Sequence, residues 1–160
     1  MFDLKPLLDQ LEVPGNYQIS MPEHFNFGFD VIDARAGDGD KTAYIWVDRS
    51  ATHIEHHSFS DLSKASSRFA NLLHGSGVAK GDAAIVVLPR VPAWYEVIIG
   101  CIKAGVVAMP GTNLLTAKDI EYRINKSQAT TIVVSVEHVA KIDSIRDSCP
   151  SLKYLILVGG

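Results

Sequence analysis

The sequence predicts an α/β fold: an open, mainly parallel sheet flanked by helices, with a helical arm and a β-hairpin at its N-terminal end. Short apolar runs, rich in β-branched residues, alternate with helical patterns of hydrophobic residues. The connections between them are short and contain Gly, Pro and helix-capping residues. Strands that alternate with helices in this way pair in parallel through right-handed crossovers, so we expect a Rossmann-like subdomain.

Composition excludes several classes of protein. The 160-residue chain can bury one substantial core, with 21% charged residues and a net charge of −3. No basic patch indicates nucleic acid as a partner, and no apolar run reaches the ~20 residues that a membrane span needs. Cys101 and Cys149 are typical of reduced structural thiols, and the first residues lack the apolar core of a secretory signal. We therefore expect a cytoplasmic location.

Residues 1–36 predict a helical arm, and residues 37–160 predict an α/β subdomain that is incomplete. A first short helix is indicated by the spacing of Leu4, Leu7, Leu8 and Leu11. Pro14 ends that helix, and Asn26 is a suitable N-cap for a second helix that reaches about Ala36.

A β-hairpin follows the arm. Residues 37–40 (GDGD) predict a turn; a calcium loop is excluded because its twelfth position is Arg49, where a bidentate glutamate is required. Residues 42–47 (TAYIWV) alternate as a strand does, and residues 52–59 are the expected hairpin partner.

The second hairpin strand contains three histidines, His53, His56 and His57. A zinc site is one interpretation, but only Glu55 lies nearby to complete a tetrahedral set. The alternative is a set of histidines on a half-solvated strand, and we predict no metal site in the chain.

A long amphipathic helix comes next. Ser60 is the expected N-cap, with Asp61 in the first turn where the helix dipole favours an acid. The expected buried stripe consists of Leu62, Ala65, Phe69, Leu72 and Leu73. Gly75 and Gly77 end the helix.

Residues 83–109 form the most distinctive pattern, a βαβ unit. Residues 83–88 (AAIVVL) predict a buried strand, and Pro92 occupies a first helical position, where its missing N–H is not needed. The helix is apolar except for Glu96 and Lys103, which are seven residues apart and share one narrow face. Gly105 supplies the left-handed residue that ends it, and residues 106–109 predict a second strand, closed by Pro110 and Gly111.

The carboxyl ends of these two strands are the place to look for chemistry, because ligands of parallel sheets bind there. One end has the sequence Pro89-Arg90-Val91 and the other Pro110-Gly111-Thr112-Asn113. Ordinary strand-to-loop turns are the alternative interpretation, since Pro and Gly are common in turns.

Two further strands complete the expected sheet. Thr116 is the N-cap of a helix that reaches about Lys126, with Tyr122 available for packing. Residues 130–135 and 153–158 predict strands, separated by an amphipathic helix over residues 136–149. The last strand is so apolar that burial in the sheet is expected, and an uncovered sheet would favour self-association of the chain.

No local motif names a reaction. The sequence has no phosphate-binding Gly-Lys-Ser/Thr loop, no Gly-x-Gly-x-x-Gly turn between strand and helix, and no nucleophile elbow. From the residues alone, a binding module without catalysis remains open.

Several collinear segments resemble the adenylate-forming superfamily. These are SFSDLSKASSRFANLLHGSGVAKGD, LPRVPAWYEVIIGCIKAGVVAMPGTN, AKDIEYRINKSQATTIVVS and the CPSLK turn before the last strand. KAGVVAMP is similar to the second core motif of that superfamily, and the PGT ending resembles the medium-chain acyl-CoA and benzoate-CoA ligase branch. The similarity covers roughly residues 24–160.

The resemblance implies the N-terminal part of a large adenylate-forming domain, in a ligase of acyl and fatty-acid metabolism. The intact enzyme would use ATP, Mg²⁺ and CoA to convert a small carboxylic acid into acyl-AMP and then into a thioester. The phosphate loop, the acidic metal-binding motif and the catalytic lysine of the family have no counterpart here, so no catalytic residue is expected in this chain. The alternative is a non-catalytic α/β binding or interaction module derived from such an enzyme.

The resemblance also implies a place for CoA. In the medium-chain relatives the segment after PGT lies beside the CoA channel, which corresponds here to Gly111, Thr112, Asn113 and Leu114. Relatives can have a Gln at the position of Leu114, and Leu cannot form its hydrogen bonds. Arg90, in the adjacent loop, is a further candidate for contact with CoA; the alternative is that it only caps or pairs with a neighbouring loop.

Overall fold

The computed structural model describes residues 22–159. The helix predicted from the leucines of residues 4–11 lies outside the described residues. The elements are α1 (a π-helix, Gly28–Asp33, continued by the α-turn Ala34–Ala36), β1 (Thr42–Val47), β2 (Ile54–Ser58), α2 (Phe59–Gly75), β3 (Ala83–Val87), α3 (Pro92–Ala104), β4 (Val107–Gly111), α4 (Ala117–Ser127), β5 (Thr131–Ser135), α5 (Val139–Asp143) and β6 (Tyr154–Val158).

The predicted α/β class is confirmed. Four strands pair in parallel in the order β4-β3-β5-β6, and β1 and β2 form a separate antiparallel pair. Successive residues of β3 face opposite sides: Ile85 packs in one core with α4 and α5, whereas Val86 packs in another with α2 and α3. β3 and β5 are therefore buried on both faces, which is why their sequences are almost continuously apolar.

The βαβ unit has the predicted connections. Pro92 is the first residue of α3, and Gly105 ends the helix with φ of 69°, a left-handed angle that suits glycine. The predicted end of the second strand is wrong, because β4 continues through Pro110 and Gly111, which pair with Val86 and Val87. β4 is an edge strand of the described sheet, where a proline costs little because one side of the strand has no hydrogen-bonding neighbour.

Two capping predictions have different outcomes. Thr116 caps α4 as predicted, and its hydroxyl accepts from the Asp119 N–H while Asp119 bonds back to Thr116. The N-cap of α2 is Ser58 rather than Ser60, because Asp61 then stands three residues later and completes a reciprocal capping box.

Several packing predictions are also corrected. Leu72 and Tyr122 are exposed at 48% and 67%. The helix predicted over residues 136–149 is broken into 3₁₀ turns on either side of α5, because the backbones of His138 and Ile145 lie near ψ = 0. β6 is an edge strand with Leu157 46% exposed, so its full burial is not observed in the described sheet.

α1 packs across the C-terminal half of α3. The Asn26 side-chain oxygen accepts from the Gly28 N–H at 2.9 Å, as predicted for a cap, and its amide donates to the Ile102 carbonyl at 2.8 Å. Lys103 lies beneath α1 with its side chain only 1% exposed, and its ammonium contacts Asp33 Oδ1 at 2.6 Å. Among the described residues, no helix is long and apolar enough to cross a membrane.

Candidate functional site

A cleft of about 530 Å³ lies at the carboxyl edge of β3 and β4. Val87 and Gly111 are aligned in the parallel ladder, so the loops that follow them leave the sheet side by side. We call residues 88–91 the first loop and residues 112–116 the second loop. The cleft is lined by Leu88, Pro89, Arg90, Trp94, Tyr95, Gly111, Thr112 and Asn113.

The structure brings together four of the five residues that the sequence singles out: Arg90, Gly111, Thr112 and Asn113 line this cleft. Leu114 does not line it, and its side chain projects into solvent at 83% exposure. Its N–H donates to the Thr112 hydroxyl at 3.2 Å, which shapes the second loop. Whether these residues contact CoA stays a prediction.

At position 111 the glycine is explained by packing within the sheet rather than by a turn. It lies within β4, and a Cβ built on it would be 2.6 Å from Leu115 Cδ1. Its missing side chain therefore makes room for Leu115, which packs partly on the core that α4 covers. Leu115 itself does not line the cleft.

Arg90 has a fixed backbone and a free side chain. The Trp46 indole N–H donates to the Arg90 carbonyl at 2.8 Å, which ties the first loop to the hairpin. The guanidinium is exposed, and among the described residues no carboxylate or hydrogen-bond acceptor pairs with it. The cleft therefore has one uncompensated cation.

An aromatic stack forms the wall nearest the hairpin. Tyr95 stacks on Tyr44 with ring centroids 4.6 Å apart, Tyr44 stacks on His57 at 4.7 Å, and Trp94 meets Tyr95 edge-on at 5.2 Å. Burial, reinforced by Glu96, raises the pKa of Tyr44 to about 12, so the ring stays neutral. Sequence reasoning missed this wall, although Tyr44 and Trp46 alternate in β1 and must share a face.

Two of the three hairpin histidines form hydrogen bonds with one carboxylate. His53 Nε2 and His57 Nε2 lie 2.8 and 2.9 Å from the two Glu55 oxygens, and these hydrogen bonds lower the pKa of Glu55. His56 pairs opposite Ile45 and so belongs to the other face of the hairpin. No group of three or more His, Cys, Asp or Glu within residues 22–159 is arranged to hold a metal ion.

The arrangement is suited to binding rather than to bond-making. Burial raises the pKa of the Cys101 thiol to about 12 and also raises that of Cys149, so neither is a nucleophile at neutral pH. The cleft offers a free cation, two aromatic rings and the backbone of a strand end. Such a surface fits an anionic ligand with a narrow chain or a planar ring.

Comparison with known proteins identifies similar chains. The model of the AMP-binding enzyme family matches residues 32–159. Acyl-coenzyme A synthetase ACSM5 of Mus musculus, a mitochondrial protein, is 39% identical over 146 residues, which cover 86% of this chain and 25% of that protein. Acyl-coenzyme A synthetase ACSM2A of Homo sapiens, also mitochondrial, is 40% identical over 146 residues, with coverages of 86% and 25%.

Solved structures share the fold. The anthranilate CoA ligase AuaEII, crystallised with anthranoyl-AMP, superimposes with a TM-score of 0.76 at 22% identity, covering 88% of this chain and 26% of that one. The acyl-CoA synthetase of Brucella canis superimposes with a TM-score of 0.76 at 24% identity, covering 99% and 28%.

Two consequences follow from these comparisons. The chain spans about a quarter of the length of the curated relatives that it matches. The predicted cytoplasmic location is wrong, because those relatives are mitochondrial proteins. Two buried free thiols are compatible with any reducing compartment, so they do not distinguish mitochondria from cytoplasm.

Proposed function

Because the chain belongs to the AMP-binding enzyme family, we propose that it is the N-terminal part of the large adenylate-forming domain of an ATP-dependent acid–thiol ligase. Residues 1–36 are the arm of that domain and residues 37–160 its first α/β subdomain. The observation that supports the proposal most is the 39% identity to an acyl-coenzyme A synthetase over 146 residues. The mitochondrial relatives favour a mitochondrial compartment for the whole enzyme.

The proposed reaction has two steps. A carboxylate oxygen of the acid attacks the α-phosphorus of ATP, and pyrophosphate leaves to give acyl-AMP. The thiol of CoA then loses its proton to solvent, its sulfur attacks the acyl carbonyl carbon, a C–S bond forms, and AMP leaves with the C–O bonding pair. A free carboxylate resists nucleophiles, whereas the mixed anhydride has a good leaving group.

We assign the cleft to the second step, as the entry for CoA. Gly111, Thr112 and Asn113 supply a strand end whose backbone a narrow chain can approach, and Leu114 follows them with its side chain in solvent. Arg90 supplies a cation for the phosphates of CoA, because nothing in the described residues neutralises it.

Mg²⁺ has no ligand set in this part of the chain. ATP chemistry in such enzymes draws on a divalent cation to offset charge on the phosphates. The described residues offer no group of three His, Cys, Asp or Glu with suitable geometry, so residues outside this part would hold the cation in the whole enzyme.

We also propose that the isolated 160-residue chain self-associates, because Val107 on one edge strand and Leu157 on the other are 52% and 46% exposed. Size exclusion with light scattering checks this. A stable monomer over a wide concentration range would show that these edges need no partner.

The function is tested on the full-length protein that contains this chain. We expect acid-dependent ATP–pyrophosphate exchange with at least one member of a panel of short, medium and aromatic acids, followed by thioester formation when CoA is added. The 160-residue chain alone should show no exchange above a blank without protein. A folded full-length protein that shows neither half-reaction with any acid would refute the proposal.

A further inference from the structure

We propose that Lys141 is a positioning residue: its ammonium fixes the second loop and thereby sets the gap through which CoA enters. This inference rests on the proposed function. Lys141 lies on α5, which follows β5, and it is neither a cleft-lining residue nor one that the sequence pattern marks. Its effect on a ligand would therefore act through the residues that it holds.

The geometry is a bidentate clamp on the main chain. Lys141 Nζ donates to the Leu115 carbonyl at 2.9 Å and to the Asn113 carbonyl at 3.3 Å. These acceptors are 26 and 28 residues away in sequence, so the contact joins two separate crossovers of the sheet. Hydrogen bonds from an ammonium are stronger than neutral ones, and one ammonium has three donors.

Lys141 makes the only long-range hydrogen bonds to residues 112–115 among residues 22–159, and the Leu115 side chain adds packing on the core. The other hydrogen bonds described for these residues are local: the Leu114 N–H to the Thr112 hydroxyl at 3.2 Å, the Leu115 N–H to the Thr112 carbonyl at 3.2 Å, and the Thr112 hydroxyl to Asn113 Oδ1 at 3.4 Å. Thr116 belongs to the capping box of α4 and anchors only the far end. Lys141 therefore supplies the long-range tie on the part of this loop that borders the cleft.

A connected set of contacts leads from the clamp to the cleft. The ammonium accepts no bond but donates to the Leu115 carbonyl. The Leu115 side chain packs where a side chain of residue 111 would lie, and Gly111 lines the cleft. The second bond holds Asn113, which also lines it. Releasing the clamp should let the backbone at Asn113 move and change the width of the gap, while the side chain of Leu115 stays packed on the core.

The test uses the full-length enzyme with the substitution Lys141→Met, which keeps the apolar stem and removes the ammonium. We expect KM for CoA to rise about 10-fold, while KM for ATP and for the acid and the rate of pyrophosphate exchange stay within about 2-fold. Lys141→Arg should recover most of the affinity because it restores a charged donor. Lys126→Met, at an exposed position of α4, is the matched control and should change nothing.

A structural measurement accompanies the kinetics. Hydrogen exchange of residues 112–115 should accelerate in Lys141→Met, whereas exchange of β3 and β5 should not change. Equal KM for CoA in Lys141→Met and wild type would overturn the inference and leave the proposed function intact. A parallel loss of both half-reactions would also overturn it, since it would mean a general structural role. Absence of thioester formation by the wild-type protein would instead count against the proposed function itself.

Discussion

Two cationic side chains of the same βαβ unit, Lys103 and Arg90, differ in burial and in hydrogen-bond partners. Lys103 is near the end of α3, buried, with its ammonium on Asp33, the Ser67 hydroxyl at 2.9 Å and the Ser63 carbonyl at 3.1 Å. Arg90 precedes the start of the same helix, is exposed, and has no partner for its guanidinium among the described residues. The first charge is satisfied by the fold, and the second is left for a ligand.

The difference separates structural from functional charge. Burying an ammonium costs several kcal/mol unless partners surround it, so Lys103 must have been paired by the folding of α1 over α3. An exposed arginine has no such cost and gains little from a partner. We therefore expect changes around Lys103 to lower stability and changes at Arg90 to lower CoA use with stability unchanged.

The largest effect is expected for Asp33→Ala, which leaves the buried ammonium of Lys103 without its carboxylate. We expect a loss of about 3–5 kcal/mol in the free energy of unfolding, measured by urea denaturation. Asp38→Ala is the control, because its ion pairs with Arg35 and Lys41 are 3.7 Å long and exposed; it should cost less than about 1 kcal/mol. Equal effects of the two substitutions would contradict the structural role of Lys103.

Gly28→Ala tests the packing of α1 on Lys103 from the α1 side of the contact. A Cβ on Gly28 would overlap the Lys103 side chain at Cγ, so α1 could not lie over it without shifting. Overpacking of this kind costs about 1–3 kcal/mol. Gly75→Ala, where no atom lies within 4 Å of the added Cβ, should be neutral or slightly stabilising in the same urea denaturation experiment. If Gly28→Ala has the same free energy of unfolding as wild type, α1 is not held against Lys103.

Arg90→Ala should lower the use of CoA and leave stability unchanged, the reverse of the changes around Lys103. Thioester formation from acyl-AMP and CoA should fall about 10-fold, or about 1.4 kcal/mol, with pyrophosphate exchange unchanged. The free energy of unfolding should change by less than about 0.5 kcal/mol, as for other exposed positions. Arg49→Ala, an exposed arginine in the hairpin turn, is the control. A joint fall of both half-reactions would remove Arg90 from the CoA site.

Trp46→Phe has the smallest expected effect. It keeps an aromatic ring but loses the N–H that holds the Arg90 carbonyl, a neutral hydrogen bond worth about 1 kcal/mol. Thioester formation should therefore fall by about 3–5-fold. Adding the substitution to Arg90→Ala should cause no further loss, because Trp46 acts through Arg90. Additive losses would mean that Trp46 contacts the ligand or the fold independently.

Local patterns predicted most of the fold. The βαβ unit, Pro92 at the first helical position and Gly105 at the helix end depend on short-range rules, and all three are confirmed. Ser58 could also have been found, since Asp61 three residues later is a capping-box signal. The error at Pro110 has another origin: whether a strand is at an edge depends on the sheet order, which no local pattern encodes.

The site was predicted only in part for the same reason. The rule for carboxyl ends of parallel strands found the two loops and with them Arg90, Gly111, Thr112 and Asn113. Tyr44 and Trp46 contact the cleft-lining residues Tyr95 and Arg90 only because the hairpin packs against the start of α3. The burial of Lys103 likewise depends on where α1 docks, so its role is not visible in the sequence of α3.

Hydrogen exchange of the full-length enzyme with and without CoA tests the assignment of the cleft most directly. We expect CoA to slow exchange in residues 88–91 and 112–115. Exchange in residues 75–82, which lead into the amino end of β3, should not change. In Arg90→Ala the protection should require a higher CoA concentration, whereas in Asp33→Ala, under conditions where it remains folded, the concentration dependence should match wild type. Protection by CoA that spares both cleft loops would contradict the assignment.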